Sequence, residues 1–231
     1  MTAAPTVSLA ERAILALRDM VHDGVLLPGQ PIRQAAVAEQ LGISRVPVRE
    51  ALQNLQAEGL VDASPGGGFV VARLSADELA QIYLMRRLLE TEMLRRAGIP
   101  GADEVAALAE LNARMARLVD QWSAPEWKRL NREFHFRMFR LSGLAHVVAE
   151  VSRLWDKTEP YRSVYSSQHA VRVRIIDEHG RLIDALGRGA AEELIGHMDG
   201  HRGASERDVV SILTYPPGIP GRPISGDTGQ E

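Results

Sequence analysis

Four side chains in the C-terminal half have the types and the spacing of a metal site. Asn131 and His135 are four residues apart, so both can face one ion from a single helix. His179 and His201 lie on two later predicted helices, from which a bundle could bring them inward. Imidazole nitrogens with one oxygen ligand suit Zn, Ni or Mn. His197 lies four residues before His201 and could replace it, so the residues alone leave that choice open.

A second set of side chains, in the N-terminal half, indicates a helix that reads DNA. Arg45 and Arg49 are four residues apart and share a helix face with Ser44, the predicted N-cap. The opposite face of this helix is apolar and carries Val48, Leu52 and Leu55. A recognition helix needs both faces, because one packs on its own domain while arginines and a hydroxyl reach base edges and phosphates. Alternatively, Arg49 pairs with a nearby glutamate on a solvated surface.

Composition and charge limit the classes of protein to which the chain can belong. It has 231 residues, a net charge of −3 and no cysteine, so it can form neither a disulfide nor a cysteine zinc site. Residues 1–74 carry six arginines and seven acidic residues, which disfavours a non-specific DNA binder. No apolar run reaches the roughly 18 residues of a membrane span, and the first residues lack a secretory-signal pattern. We therefore expect a cytoplasmic protein with no membrane partner.

The elements that position these residues are mainly helical. Apolar spacing and turn residues predict helices over 7–21, 34–41 and 44–59, followed by strands over 60–63 and 69–73. Three helices followed by a β-hairpin have the order of a winged helix-turn-helix.

From Ser75 onward the pattern is helical throughout. Ser75 and Glu78 form a capping box that opens a helix to about Ala97. Further helices are predicted over 102–121, 124–142, 144–165, 168–187 and 190–213. The fold class is therefore mainly α, with an N-terminal winged helix-turn-helix and a C-terminal antiparallel helical bundle. The predicted boundaries are 1–73 for the DNA-binding domain, 74–214 for the helical domain and 215–231 for a disordered tail.

The N-terminal motifs resemble those of GntR-type bacterial transcription regulators. The motifs are LLPGQPI, LGISRVPVREALQNLQAEGLV and GGFV, between about residues 10 and 72. The resemblance implies a set of operator contacts on the third helix, made by Ser44, Arg45, Val46 and Arg49. It also places the hairpin tip around Gly67 in the minor groove.

The N-terminal half departs from the family pattern at two places. Val46 stands where relatives usually have threonine, and it lacks the hydroxyl that could reach a phosphate. The hairpin tip, residues 66–68, is all glycine where a basic residue is common, so contacts there come from the backbone. Arg33, just before the second helix, could supply one phosphate contact or simply lie on a solvated surface.

The helical half resembles the FCD-type ligand-sensing domain of the FadR branch of that family. Its motifs are IYLMRRLLE, NREFHFRMFRLSG, DEHGRLIDAL and HMDGH, between about residues 75 and 213. The resemblance implies six or seven helices around a cavity that holds a divalent metal. It assigns the metal ligands to Asn131, His135, His179 and His201, and it favours His201 over His197. It leaves three histidines on the surface, namely His22, His146 and His169.

Arg86 occupies the family position that points into the cavity. The resemblance implies that it clamps a ligand carboxylate, whereas spacing alone equally allows an ion pair with Glu90, four residues later. A metal beside an arginine suits a small organic acid, such as a hydroxy-, keto- or sugar acid.

The sequence therefore predicts a transcription regulator that responds to such an acid. In this family it would most often be a repressor, bound as a homodimer to a near-palindromic operator. The alternative is a metal-dependent enzyme with a helical, His-lined site. We disfavour it because Glu133 and Glu178 lie beside histidines in the sequence and should point elsewhere on their helices.

Overall fold

A computed structural model describes residues 8–214, and its N-terminal part is a winged helix-turn-helix. The helices are α1 (Leu9–His22), α2 (Gln34–Leu41) and α3 (Arg45–Ala57). The strands are β1 (Pro31–Ile32), β2 (Val61–Ala63) and β3 (Phe69–Val71). The predicted fold class is confirmed, and each predicted element in this part is present.

The three strands form one antiparallel sheet in the order β1-β3-β2. Pro31 pairs with Val70, and Val61 pairs with Val71. The sequence analysis did not predict β1, because two residues cannot show the alternation of a strand. Its proline is tolerated because β1 lies at the edge of the sheet.

Burial of one face of α3 against α1 holds this domain together. Leu17 on α1 and the predicted apolar side chains Val48, Leu52 and Leu55 on α3 are fully buried. Gly42 ends α2 in the left-handed conformation (φ 65°), which glycine adopts without a steric cost, and this fixes the turn into α3. The opposite face of α3 is thereby left open to solvent.

The C-terminal part is a bundle of helices with its own core. In chain order they are α4 (Ala76–Arg96), α5 (Ala102–Arg117), α6 (Ala124–Arg140), α7 (Ala145–Tyr165), α8 (His169–Gly187) and α9 (Ala191–Thr214). The predicted Ser75 and Glu78 capping box opens α4. Helix α8 packs between α5 and α9, while α7 contacts α4, α6 and α9. Three helices that carry predicted metal ligands, α6, α8 and α9, bring their histidine rings together inside the bundle.

The two parts of the chain touch where α1 meets α6 and α7. The Ser163 hydroxyl donates a hydrogen bond to the His22 carbonyl oxygen at 3.0 Å. The Lys128 ammonium contacts the Asp23 carboxylate at 2.7 Å. The predicted disordered tail lies outside the described residues. Among residues 8–214, none of the helices is long and apolar enough to cross a membrane.

Candidate metal centre and nucleic-acid interface

Three of the four predicted metal ligands form a compact cluster in the bundle core. His135 on α6, His179 on α8 and His201 on α9 each place one ring nitrogen within 4.8 Å of the others. Their ring centroids are 5.0 to 5.2 Å apart. His135 and His179 are 1% and 0% exposed, so water cannot satisfy their nitrogens freely.

The buried polar atoms of this cluster have no protein partner. Both ring nitrogens of His135, both of His179 and the Asn131 amide oxygen are buried without a hydrogen bond to any residue in the described range. An unsatisfied buried polar group is costly, so a native cluster of five such atoms needs an explanation. Burial and the neighbouring imidazoles lower the pKa of His135 and of His179 well below 6.5, which keeps them neutral as metal binding requires. The donor set fits a divalent ion.

Glu178 orients the third histidine. Its carboxylate oxygen lies 2.7 Å from His201 Nδ1, which fixes the ring and leaves Nε2 available for an ion. The expectation that Glu178 points away from the histidines is therefore wrong. The sequence reasoning considered only the helix that carries Glu178. Helix α9 packs beside α8 and brings His201 to the Glu178 carboxylate. Glu133 instead pairs with Arg140 near the surface, at 3.5 Å.

The remaining histidines lie outside the cluster. His197 is one third exposed and faces Glu193 at 3.4 Å, so the cluster contains His201 in preference to it. His146 and His169 are exposed, as expected. His22 differs from the surface expectation, because it is partly buried where α1 meets the helical domain, and burial lowers its pKa.

Arg86 forms the ion pair with Glu90 and also keeps a free donor that a ligand carboxylate could accept from. Its Nε donates to Glu90 at 2.8 Å, which is the ion pair that the spacing allows, and both side chains are buried. Its Nη1 is buried with no partner in the described chain. The other oxygen of Glu90 accepts from Arg202 Nε at 2.8 Å. Sequence reasoning missed Arg202, although it directly follows His201, because nothing in its spacing sets it apart from a surface arginine.

Several of these groups line one small cavity, to which five helices of the bundle contribute residues. Its lining includes Arg86, Asn131, Trp155, Arg162, Glu178, His201 and Arg202. The centre of a water molecule can occupy only about 20 Å³ of this cavity. That is room for little more than one water molecule. Any larger ligand needs side chains or helices to move.

The predicted DNA-reading residues share the open face of α3. Ser44, Arg45, Val46 and Arg49 are all exposed, and Val46 is 65% exposed. Ser44 is the N-cap, but its hydroxyl makes no capping hydrogen bond and is free for another partner. No residue between 8 and 214 forms an ion pair with Arg45 or Arg49, so the glutamate alternative is not what the structure has. Such a face can reach base edges and phosphates.

The hairpin tip and Arg33 are the other two predicted DNA contacts, and both are exposed. Gly67 and Gly68 have φ of 84° and 90°, values that only glycine adopts without strain, and both are exposed. The tip can therefore offer a DNA groove only backbone groups. Arg33 is exposed at the N-cap of α2 and is free to meet a phosphate.

Comparison with known proteins agrees with this arrangement of a DNA-binding part and a helical second part. The family profile for bacterial regulatory proteins of the gntR family matches residues 9–71, and that for the FCD domain matches residues 81–204. YdhC of Bacillus subtilis, an uncharacterized HTH-type transcriptional regulator, is 28% identical over 80% of this chain and 84% of its own length. The repressor GlaR of Escherichia coli is 25% identical over 74% of this chain and 81% of its own. The solved structure of E. coli McbR/YncC has a TM-score of 0.66 at 23% identity, covering 90% of this chain and 98% of its own.

Fold, exposed arginines and matches together define a DNA-binding transcription regulator with a helical second domain. The chain belongs to the GntR family and carries an FCD domain. Its relatives are regulators, and the metal-dependent enzyme has no support among them.

Proposed function

We propose that the protein is a repressor that binds a near-palindromic operator as a homodimer and is controlled by a small organic or sugar acid. The domain boundaries are 1–73 for DNA binding and 74–214 for effector binding and dimerisation. The protein acts in the cytoplasm, where the operator is. The observation that carries this proposal is the buried cluster of unpartnered imidazoles beside buried arginines, within a family of DNA-binding regulators.

The effector binds beside a divalent metal, Zn, Ni or Mn, in the helical domain. The metal ligands are Asn131, His135, His179 and His201. The three histidines form the cluster, and Asn131, which lines the same cavity as His201, has a buried amide oxygen without a partner in the described chain. Bound there, the ion supplies open coordination positions for an acidic oxygen. Arg86 binds the effector through its unpartnered Nη1.

The dimer forms through the outer face of α4. Leu84, Met85 and Leu88 lie on this face and are 44%, 41% and 62% exposed. An exposed apolar patch of this kind marks an interaction surface. The occupant is a second copy of the chain, because one winged helix contacts too few base pairs for strong specificity and a symmetric operator offers two half-sites.

Helix α7 connects the cavity to the DNA-binding domain. Arg162 on α7 lines the cavity. Its two neighbours in sequence contact the start of the helical domain and the DNA-binding domain: the Tyr161 hydroxyl accepts from the Leu74 backbone N–H at 2.8 Å, one residue past the boundary, and the Ser163 hydroxyl donates to the His22 carbonyl oxygen. Since the cavity is too small for an organic acid, binding requires α7 or its neighbours to shift. An effector that binds the shifted state better changes the geometry of DNA binding.

The DNA-binding part of the proposal is tested with Arg49→Ala. An arginine contact to a base is worth about 1–3 kcal/mol per half-site, so a symmetric dimer should lose about 2–6 kcal/mol of operator affinity. Mobility-shift titration at fixed salt measures this loss. The control is Arg153→Ala, which removes an arginine that is 79% exposed in the helical domain. Equal affinity of the two variants for the operator would remove Arg49 from the interface.

The metal part is tested by metal analysis of purified variants. The protein should carry up to one divalent ion per chain, and His135→Ala or His201→Ala should lower that content. His197→Ala is the matched control, since His197 lies on the same helix as His201 but faces Glu193. Metal content that fell only in the control would show that the ligand set is wrong. A metal-free protein with a full response to its effector would remove the metal from the mechanism.

A further inference from the structure

Two buried arginines beside the histidine cluster have unused hydrogen-bond donors. Arg86 on α4 and Arg202 on α9 are each 4% exposed, and each donates its Nε to a different oxygen of Glu90. Arg86 Nη1 and Arg202 Nη2 remain buried without a partner in the described chain. Both side chains line the cavity that His201 lines. Two guanidinium groups thus present free N–H donors to one small space, which is an arrangement that suits an anionic oxygen pair.

Arg86 is held in place for this role. Its guanidinium lies over the Trp155 ring at 4.5 Å, and Glu90 fixes its Nε. Trp155 Nε1 is a further buried donor without a partner among residues 8–214. Buried groups so positioned lose little entropy when they bind a ligand.

The two arginines that hold Glu90 share one buried carboxylate. Glu90 neutralises only one of the two arginines that it bonds, and the remaining partner of Arg202, Asp199, is 46% exposed. The other cavity arginines have their own carboxylates, since Arg162 pairs with Glu159 and Arg174 with Asp208. The buried trio of Arg86, Glu90 and Arg202 therefore carries one positive charge, and its counter-charge, the Asp199 carboxylate, lies toward the surface at 2.6 Å from Arg202 Nη1.

The proposed metal adds to this excess. Three imidazoles and the Asn131 amide are neutral ligands, so they leave both charges of a divalent ion uncompensated. Glu178, bonded to His201, offsets one of them. The ion and the arginine pair would then be two separate positive centres in one cavity, and buried charge of this kind calls for an anionic partner.

We propose that the effector is a dianion, a small dicarboxylic acid. One carboxylate faces the histidine cluster, and the other accepts hydrogen bonds from Arg86 Nη1 and Arg202 Nη2. The inference rests on the proposed function, since it specifies the acid that binds in this cavity. It makes monocarboxylates and uncharged sugars poor ligands, because they leave the arginine donors unpaired.

The experiment compares acids that differ only in the second carboxylate. Isothermal titration of the purified full chain uses two pairs, succinate against butyrate and malate against lactate. In at least one pair the dianion should bind about 10- to 100-fold tighter, the range for hydrogen bonds to a charged group. The preference should persist after the protein is treated with a chelator, because the second carboxylate binds the arginines.

Arg202→Gln locates the preference within the cavity. It leaves Arg86 and Glu90 as a neutral buried pair, and it should reduce dianion affinity to that of the monoanion while monoanion affinity and metal content stay unchanged. Arg86→Gln serves as a second variant if the first does not fold, and Arg153→Gln is the surface control. Equal or tighter binding of the monoanions would overturn the dianion proposal and leave regulation by an acid standing. Binding of no acid at all would overturn both.

Discussion

Replacing Glu90 by glutamine should destabilise the helical domain severely. Glu90 is fully buried between two buried arginines, with both contacts at 2.8 Å. Burial alone would raise the pKa of Glu90, but the two guanidinium groups lower it below its ordinary value, so the group is charged. Glutamine has nearly the same shape, so the substitution removes the charge without opening a cavity.

The expected loss follows from the contacts that remain. Removing one partner from a buried ion pair costs about 3–5 kcal/mol, because a charge stays buried without compensation. Glu90 serves two arginines, so we expect a loss near the upper end, about 4–5 kcal/mol. With a denaturant dependence of about 2–3 kcal/mol per M urea, the unfolding midpoint should fall by roughly 2 M.

Tryptophan fluorescence can follow this unfolding in the intact chain. All three tryptophans, Trp122, Trp127 and Trp155, belong to the helical part, so the signal reports on the domain that contains Glu90. The control is Asp199→Asn, which removes a partly exposed partner of Arg202 and should cost less than about 1 kcal/mol. A Glu90→Gln loss no larger than that of the control would refute the reasoning about buried charge.

Three other outcomes follow from the site and from the exposed face of α4. Glu178→Gln should weaken metal binding about 10- to 100-fold by releasing the His201 ring, as measured by competition with a chelator; unchanged affinity would refute its orienting role. In metal-free protein, His135 and His179 stay neutral while their unfolded forms bind protons below pH 6.5, so stability should fall on acidification. Between pH 6.5 and 5.5 the pair accounts for a loss of about 2 kcal/mol, and His135→Gln should remove half of that pH dependence in urea titrations. Leu88→Glu should convert the proposed dimer into a monomer of 25.3 kDa by light scattering, and a persistent dimer would place the interface elsewhere.

Local signals predicted most of the fold. The capping box of Ser75 and Glu78 and the left-handed stop at Gly42 depend on neighbouring residues only, and the structure has both. The apolar spacing of α3 predicts which face is buried, and therefore which face carries Arg45 and Arg49. Such elements are readable because each is set within one or two helical turns.

The rest depended on which helices lie side by side. Glu178 meets His201 across two helices, and Glu90 meets Arg202 from opposite ends of the domain sequence. Neither contact has a fixed spacing in the chain, so no local pattern signals it. Strand β1 is missing from the prediction for a similar reason, because it exists only through its pairing with β3.

The small size of the cavity also bears on how fast the regulator can respond. Since its free space admits about one water molecule, the proposed acid should enter only during a transient opening of the bundle. The observed association rate should then rise with effector concentration at low values and level off at the opening rate. Beyond that point more effector adds no speed, so the packing of the bundle, and not the supply of the proposed acid, sets the shortest time in which the regulator can respond.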